Sequence, residues 1–387
     1  MNCPVCNSAD IYKFFSFADL PQFCNVLWGS KEEAEKCGKG DIDLAFCKNC
    51  TFIWNTAFDP SKLDYGQEYE NSLHFSPRFQ QYATSLAERL VSEYNVKDKD
   101  IIEVGCGKGD FLLMLARAGN NRGVGFDKSF QKRDDLEIGS AQIEFVEDFF
   151  SADYAERPVD FLVCRHVLEH IEQPNPFLDE IISIVKKNKP ALFFEVPSGV
   201  HTFKNMAVWD IIYEHPNYFT PLALEYLFEQ NGVGVIDIRS EYENQFLSLT
   251  GSTSNDITKK DYHADSKETM LEVVENFKIN FEQKFSDWQN QLETLKQNSQ
   301  KAVIWGSGSK GVTFLNMLST AGTIDYAVDI NPRKQGKFIP GSGQKIVAPE
   351  FLKELKPEVV YIMNPIYKDE IAGMLNQLYD NYKIETV

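Results

Sequence analysis

The sequence has no long apolar run and little positive charge. None of its apolar runs reaches the roughly 18 residues of a membrane-spanning helix. Its 387 residues include 39 Lys and Arg against 57 Asp and Glu, a net charge of -18, and such a charge repels nucleic acid and anionic membranes. It also lacks low-complexity tracts, and 43% of its residues are apolar. We therefore expect a folded, soluble, cytoplasmic protein that uses neither nucleic acid nor membrane as its main partner.

The chain is long enough for more than one domain, because 387 residues is over twice a typical domain of about 150. Changes in the residue pattern indicate where its domains begin and end. We expect a zinc-binding module at 1–60, an α/β core at 61–255, a long linking helix at 256–300 and a second α/β domain at 301–387. No tandem repeat is visible.

Four of the eight cysteines stand in two C-x-x-C pairs, which is the spacing of zinc ligands. Cys3 and Cys6 form the first pair, and Cys47 and Cys50 form the second. Four thiolates complete a tetrahedral site and leave no position for water, so the expected Zn2+ is structural. The alternative is four reduced cysteines without a metal. A zinc ribbon that recruits RNA is disfavoured, because no basic stripe flanks the cysteines.

Strand-like and helix-like segments alternate through the middle of the chain. The runs DIIEV at 100–104, GVGF at 123–126 and FLVC at 161–164 are apolar and short, whereas FLLMLARAG at 111–119 has helical spacing. Strands that alternate with helices of this length predict a parallel sheet covered on both faces. The predicted fold class is therefore α/β.

The segment from Ser266 to Gln300 contains no Gly or Pro. Its apolar residues recur every three or four positions, which predicts one long amphipathic helix. After it, KAVIWGSGSKG at 301–311 opens another strand, turn and helix unit. The C-terminal part is therefore predicted to be a second Rossmann-like α/β domain.

The run IIEVGCGKGDFLLML places glycines between a strand and a helix, where a ligand can approach the backbone. This first glycine turn alone fits a dinucleotide as well as S-adenosylmethionine. The carboxylates near it favour a ligand without phosphate, since Asp127 can accept ribose hydroxyls, Asp148 can accept the adenine amino group and Glu103 can fix the loop at the methionine end. The alternative is that Asp127 and Asp148 only cap turns. The predicted cofactor-binding residues are Glu103, Gly105, Cys106, Gly107, Gly109, Asp127, Asp148, Phe149, Arg165 and His166.

Several motifs together resemble a known family. VGCGKGD, GFD and HVLEHI resemble class I S-adenosylmethionine-dependent methyltransferases, and CPVC, FCKNC, YEHPNYFT and NPIYKDEI extend the resemblance to the three-domain sugar C-methyltransferases over nearly the whole chain. The resemblance implies a zinc-binding domain, a class I Rossmann-like core and a C-terminal Rossmann-like domain. It also implies methylation of a carbon next to the keto group of a nucleotide-linked deoxysugar. The expected partner is thus a small nucleotide sugar of deoxysugar biosynthesis, and we expect a monomer.

Methyl transfer to carbon requires a base for the proton beside a carbonyl and a donor to the enolate oxygen. Through the family's E-H-x-x-Y motif, the resemblance implies His215 as base, Glu214 as its partner, and Tyr213 or His170 as oxyanion donors. The chain has I-Y-E-H where sugar enzymes of the family often show Y-H-E-H. His166 and His170, four residues apart, are expected on one helical face. The alternatives are a buried polar cluster that holds a loop, and methylation of a hydroxyl with His215 as the base.

A second glycine turn follows the strand KAVIW. Gly306, Gly308 and Gly311 have the spacing of a dinucleotide fingerprint, so an NAD-dependent oxidoreductase is an alternative from another class. Lys310 beside the turn suits a phosphate, and the resemblance implies that this domain holds the nucleotide diphosphate of the substrate. A domain needed only for packing is the third interpretation. The predicted substrate-binding residues are Tyr69, Tyr218, Ser309, Lys310, Asp329 and Lys334.

Overall fold

The structure is a computed structural model that describes residues 1–63, 69–131, 142–254 and 257–387. In chain order the strands are β1 (Ile11–Pro21), β2 (Lys39–Cys47), β3 (Ile53–Asn55), β4 (Asp100–Val104), β5 (Arg122–Phe126), β6 (Ile143–Val146), β7 (Phe161–Arg165), β8 (Ala191–Pro197), β9 (Asn217–Tyr218), β10 (Gly234–Glu241), β11 (Phe246–Ser252), β12 (Ala302–Trp305), β13 (Ile324–Val328), β14 (Lys345–Val347), β15 (Val359–Ile362) and β16 (Lys383–Thr386). The α-helices are α1 (Lys31–Glu35), α2 (Pro77–Glu93), α3 (Asp110–Gly119), α4 (Pro174–Val185), α5 (Gly199–Lys204), α6 (Pro221–Gln230), α7 (Lys267–Gln297), α8 (Ser309–Met317), α9 (Leu352–Leu355) and α10 (Lys368–Leu375). The domain boundary expected between residues 255 and 256 lies outside the described residues.

The N-terminal sheet takes one of its strands from the middle of the chain. Its order is β1-β2-β3-β9, and each strand is antiparallel to its neighbours. The alternation of IDLAF places Ile42, Leu44 and Phe46 of β2 in the core, where all three are buried. Because β9 belongs to the segment YEHPNYFT, the candidate catalytic residues are attached to the edge of this sheet.

The central sheet has seven strands in the order β10-β11-β8-β7-β4-β5-β6. Strands from β8 to β6 are parallel, whereas β11 runs antiparallel between β8 and β10. Successive side chains point to opposite faces: Ile101 and Phe161 pack with α2 and α3, and Ile102 and Leu162 pack with α4 and α6. Both faces are therefore buried, and the predicted α/β class is confirmed.

The C-terminal sheet is parallel throughout, in the order β14-β13-β12-β15-β16. Helix α8 follows β12 directly after the second glycine turn. This strand, turn and helix unit confirms the prediction of a second Rossmann-like sheet.

Helix α7 has 31 residues and confirms the long helix predicted between Ser266 and Gln300. Residues 257–266 are not helical, so the linking helix is shorter than the expected 256–300. Its Phe277 ring packs edge-on against Phe15 of β1, with centroids 5.6 Å apart. Farther along, Trp288 packs edge-on against Phe314 of α8 at 5.2 Å. These residues belong to one apolar cluster that continues through the N-terminal sheet, α7 and the C-terminal sheet. One core thus joins the two ends of the chain.

The carboxyl ends of the parallel strands in two sheets open on the same cavity. Residues that follow β4, β5 and β7 line one side of it, and residues that follow β12 and β13 line the other. Ligands of open α/β sheets bind at such ends. Within the described ranges, no helix is both long and apolar enough to cross a membrane.

Candidate active site between two glycine turns

The cavity between the two glycine turns has a volume of about 850 Å³. This size is in the upper part of the range for small-molecule sites. Its wall includes most of the predicted site residues: Glu103, Gly105, Cys106, Gly107, Asp127, Asp148, Phe149, Arg165, His166, His170, His215, Tyr69, Tyr218, Ser309, Lys310, Asp329 and Lys334. Gly109, Tyr213 and Glu214 are predicted site residues that are not among its described lining residues.

The first glycine turn has the backbone shape that only glycine adopts without strain. Gly105, Gly107 and Gly109 have φ values of +72°, +54° and +86°. The N–H groups of Gly105 and Cys106 both donate to the carbonyl oxygen of Phe126, at 2.8 and 3.1 Å. A Cβ atom on Gly105 would lie 2.2 Å from Cγ2 of Val167, so a side chain there would force the turn to move. Gly109 is the N-cap of α3. It therefore shapes the end of the turn, although it is not among the described residues that line the cavity.

Asp127 and Asp148 stand beside this turn and line the cavity. Oδ2 of Asp127 accepts from the Gly107 N–H at 2.7 Å, and its Oδ1 accepts from the Ser129 N–H at 2.8 Å. Asp148 accepts from the Phe149 N–H at 2.8 Å, and the ring of Phe149 is 69% exposed. Both carboxylates therefore stabilise turns, as the alternative to cofactor binding predicted. Both also line the cavity, where a carboxylate can accept further hydrogen bonds.

Glu103 lies at the floor of the cavity and is almost fully buried. Burial raises the pKa of its carboxyl to about 8. Its Oε2 atom has no hydrogen-bond partner among the described residues. A buried acceptor without a partner is costly, so this atom favours a ligand with a donor group. The amino group of the methionine part of S-adenosylmethionine is such a donor, and the residues around the turn fit that ligand.

Arg165 ends β7, His166 follows it, and the two side chains share one carboxylate. Nε and Nη2 of Arg165 lie 3.0 and 2.7 Å from Oε1 of Glu195, and Nε2 of His166 lies 3.0 Å from the same oxygen. Burial opposes the charge on His166, but the nearby carboxylates of Glu169 and Glu195 outweigh burial and raise its pKa to about 9. His166 is therefore positively charged at neutral pH.

The expectation that His166 and His170 share a helical face is wrong. His166 has a φ of +55°, and only a short 3-10 turn, Leu168–His170, follows it. The two rings have different partners as a result. His166 packs on Phe246, whereas His170 packs on His215.

His170 and His215 form an edge-to-face pair with ring centroids 4.7 Å apart. Nδ1 of His170 donates to the backbone carbonyl oxygen of Glu214 at 2.9 Å, so this carbonyl orients the ring. Burial lowers the pKa of His215 well below its usual range, and the neighbouring positive groups His170, His166 and Lys310 lower it further. His215 is therefore neutral at physiological pH and able to accept a proton.

The other residues of the YEHPNYFT motif hold the loop. The Asp59 N–H donates to the Tyr213 hydroxyl at 2.9 Å, which corrects the prediction of Tyr213 as an oxyanion donor, because its hydroxyl is bound away from the cavity. Oε2 of Glu214 accepts from the Cys24 N–H at 2.6 Å, and Glu214 is fully buried behind the cavity wall. Burial raises the pKa of Glu214, against the charge of His170 and hydrogen bonds from Cys24 and Tyr69. Glu214 thus lies behind the cavity wall, and its backbone carbonyl holds the His170 ring of the His170–His215 pair.

The second glycine turn faces the first across the cavity. Gly306 has a φ of +112°, and a Cβ atom on Gly311 would lie 2.2 Å from the Gly306 carbonyl oxygen. The Ser307 N–H donates to Oδ2 of Asp329 at 3.0 Å, so Asp329 holds this turn as Asp127 holds the first. Ser309, also in the cavity wall, opens helix α8.

Two lysines supply positive charge at this end of the cavity. Lys310 forms an ion pair with Asp210. Nζ of Lys334 donates to Oδ1 of Asn25 at 3.1 Å, and Lys334 is almost fully buried. Tyr69 and Tyr218, the remaining predicted substrate contacts, are also in the wall.

Sequence reasoning missed two kinds of lining residue. Asn25 comes from the N-terminal module, and no spacing in the sequence places that module beside the second glycine turn. Glu169 lies between the two histidines of the motif HVLEH and is buried in the cavity wall. The sequence did contain a signal for Glu169, because this acidic residue lies between two histidines that were already candidate site residues.

The four predicted metal ligands lie together at the end of the N-terminal sheet. The Sγ atoms of Cys3 and Cys50 are 3.6 Å apart, and those of Cys6 and Cys47 are 3.4 Å apart. All four lie within 4.8 Å of one another. A tetrahedron with Zn–S bonds of about 2.3 Å has edges of about 3.8 Å, whereas a disulfide needs about 2.05 Å. The thiols are thus spaced for a metal ion.

Replacing Gly105 by Ala is expected to weaken binding of the product S-adenosylhomocysteine (SAH) at least about tenfold. The new Cβ would meet Val167, and the turn that carries Gly107 would have to move. Gly232→Ala is the matched control, since Gly232 has a φ of +76°, no atom within 4 Å of the added Cβ and a position outside the cavity. Isothermal calorimetry measures both variants. Equal SAH affinities for the two would contradict the placement of the ligand on the first turn.

Comparison with known proteins agrees with this geometry. Residues 74–238 match the family described as methyltransferase domain, and residues 254–382 match the C-methyltransferase C-terminal domain. The chain is 23% identical to the C-methyltransferase NovU of Streptomyces niveus over 403 residues, which covers 98% of this chain and 93% of that protein. It is 24% identical to the mitochondrial ubiquinone biosynthesis O-methyltransferase of Dictyostelium discoideum, over 41% of this chain and 56% of that protein. A solved structure of magnesium protoporphyrin IX methyltransferase from Synechocystis PCC 6803 with bound SAH gives a TM-score of 0.35 at 18% identity, over 46% of this chain and 84% of that chain.

The two matched regions contain one glycine turn of the cavity each. The methyltransferase domain runs from α2 into β10 and contains the first glycine turn and the His170–His215 pair. The match to the C-methyltransferase C-terminal domain runs from before α7 to the residue before β16 and contains the second turn. The class I Rossmann-like core is confirmed, and the chain is an S-adenosylmethionine-dependent methyltransferase.

Proposed function

We propose that the protein methylates a carbon next to the keto group of a nucleotide-linked deoxysugar. The observation that carries this proposal is the position of His215. It lies in the cavity wall, within the electrostatic reach of His166 beside the first glycine turn and of Lys310 beside the second. A base in this position can act on an acceptor held between the two turns.

The first turn holds the methyl donor. Gly105 and Gly107 would let the donor approach the backbone, Asp127 and Asp148 would accept from its ribose and adenine, and Glu103 would accept from its amino group through Oε2. When bound, S-adenosylmethionine supplies an electrophilic methyl group. The chain's own contribution is to position the acceptor carbon in line with that group and to exclude water from it.

His215 removes the proton from the acceptor carbon. A neutral imidazole is required for this step, and burial keeps His215 neutral. His170 packs against it at 4.7 Å, and the Glu214 carbonyl keeps the proton of His170 on Nδ1. With Tyr213 bound to Asp59, His170 is the predicted oxyanion donor that also lines the cavity. Because its Nδ1–H is already bound to the Glu214 carbonyl, it can donate to an oxyanion from Nε2 only when both ring nitrogens carry a proton.

The second turn holds the acceptor's nucleotide. Lys310, Lys334 and the first turn of α8 at Ser309 offer positive charge and N–H donors in a chain whose net charge is -18. A diphosphate needs such a local site in an acidic protein. The match of this part to a C-methyltransferase C-terminal domain favours this role over the alternative of an NAD-dependent oxidoreductase.

We also propose that Cys3, Cys6, Cys47 and Cys50 bind one Zn2+ that stabilises the N-terminal sheet. The support is the spacing of the four thiols and the burial of three of them, Cys3, Cys47 and Cys50. No cavity residue belongs to this set, so the metal would act on the fold alone.

A ligand panel tests the acceptor. The protein is heated with SAH, with each nucleoside diphosphate, and with both, and ligands that bind the folded state raise the melting temperature. Keto-deoxysugars linked to the nucleotide that binds are then incubated with S-adenosylmethionine. Mass spectrometry with hydrogen–deuterium exchange distinguishes a methyl group on carbon from one on oxygen, because methylation of a hydroxyl group removes an exchangeable proton. We expect one nucleotide to bind together with SAH and a C-methylated product. A product methylated on oxygen, or stabilisation by SAH alone, would contradict the proposal.

A substitution tests the base in the same assay. His215→Gln is expected to keep SAH affinity within about threefold and to lower turnover at least about 100-fold, because general-base catalysis contributes that much. His263→Gln is the control, since His263 is exposed on a distant segment. Wild-type turnover by His215→Gln would remove this residue from the mechanism.

Metal analysis tests the zinc proposal. We expect one zinc per chain in the purified wild type and none in Cys47→Ser, with a melting temperature lower by about 5 °C or more. Cys37→Ser is the control, because Cys37 lies outside the cluster. Zinc retained by Cys47→Ser, or absent from the wild type purified without chelator, would overturn the site.

A further inference from the structure

Glu169 is a buried carboxylate that the contacts of the fold explain only in part. It lies in the 3-10 turn after β7, is 1% exposed and is part of the cavity wall. Its Oε1 lies 3.5 Å from Nδ1 of His166. Its Oε2 has no hydrogen-bond partner among the residues that the structure describes. A buried carboxylate oxygen left in this state needs an explanation, since it costs more than an exposed one.

The neighbours of Glu169 point to the reaction. A carboxylate oxygen of Glu169 and a ring nitrogen of each of His170 and His215 all lie within 4.8 Å of one another. The charges that lower the pKa of His215 are those of His170, His166 and Lys310. Lys310 is paired with Asp210, His166 lies near Glu195, and Oε2 of Glu214 accepts from the Cys24 N–H. Glu169 thus places a carboxylate within reach of both rings of the His170–His215 pair.

The proposed reaction moves one positive charge to His215. When His215 takes the proton, the C–H bond breaks and its electron pair forms the enolate. The enolate carbon then bonds to the methyl group, the S–CH3 bond breaks and its electron pair stays on sulfur, which becomes a neutral thioether. The sulfonium charge has then disappeared and His215 has become an imidazolium. This new charge is buried, and a nearby carboxylate stabilises it.

We propose that Glu169 is a positioning residue for methyl transfer, whose inward carboxylate orients the His170–His215 pair and balances the proton that His215 takes up. The inference rests on the proposed function of His215 as the base. The acceptor's proton goes to His215, and Glu169 acts through that ring without contacting the acceptor carbon.

The same three side chains also have the spacing of a cation site. His166 beside them is positively charged, and the methyl donor brings a sulfonium into the same cavity. Glu169 is the one carboxylate among these three side chains, and its Oε1 already lies 3.5 Å from Nδ1 of the charged His166 ring. We therefore favour proton chemistry at this cluster.

Nuclear magnetic resonance tests the inference without any acceptor. Histidine-15N-labelled wild type, Glu169→Gln and Glu172→Gln are titrated as SAH complexes, and the ring nitrogen signals report protonation and tautomer. Glu172 is the matched control, an exposed carboxylate three residues away. We expect Glu169→Gln to shift the His170 and His215 signals and to reduce the proton affinity of His215 at least tenfold. Unchanged signals for both rings in Glu169→Gln would overturn the proposal.

Kinetics provide the second readout, with the acceptor that the ligand panel identifies. In the presence of SAH, exchange of the acceptor's proton with deuterated water measures proton removal alone. We expect Glu169→Gln to slow exchange and methyl transfer by the same factor, about 100-fold, with SAH affinity unchanged, and Glu169→Asp to recover at least tenfold. Wild-type exchange in Glu169→Gln, or a second metal ion per chain that this variant loses, would overturn the role of Glu169. If wild type turns over no keto-deoxysugar, the proposed function fails and the resonance experiment alone decides on Glu169.

Discussion

A shared apolar core determines how the two glycine turns meet. Phe15 of β1, Phe277 and Trp288 of α7, and Phe314 of α8 belong to one cluster, so the N-terminal sheet and helix α7 are packed against the C-terminal sheet. The N-terminal sheet in turn pairs with β9, which continues from the segment that carries His215. Burial of this one core therefore brings the first glycine turn, His215 and the second glycine turn, which are far apart in the sequence, to one cavity.

Charge is the second constraint on the site. The chain is acidic overall, but the cavity concentrates positive groups, namely His166, Lys310 and Lys334, near buried carboxylates. Glu195 neutralises Arg165, and together with Glu169 it keeps His166 charged. Charges removed from water need such partners. The cavity thus offers carboxylates beside the first glycine turn and lysines beside the second, which is the charge distribution that the proposed donor and acceptor require.

Local patterns were sufficient to predict the elements that carry the turns. The apolar runs predicted β4, β5 and β7, and the absence of Gly and Pro predicted α7 to within a few residues. The glycines of the first turn were predicted from their position between strand and helix, and their positive φ angles explain why that residue type is needed. Such signals are local, so one sequence contains them.

Contacts between distant segments could not be predicted in this way. The two-residue strand β9 pairs with β3 across more than 150 residues, and a strand that short has no periodicity. The same packing takes Tyr213 to Asp59 and away from the cavity, although its position beside Glu214 suggested a catalytic role. His166 does not lie on the expected helical face, because its φ is +55°. A spacing of four residues does not reveal such a backbone angle.

A crystal structure of the complex with SAH and the nucleoside diphosphate that raises the melting temperature most is the most direct test of a single cavity with donor and acceptor at opposite turns. We predict SAH at Gly105 and Gly107, the diphosphate beside Lys310 and Ser309, and the His215 ring between them. A nucleotide bound at the first turn, or a diphosphate bound outside the cavity, would contradict the account.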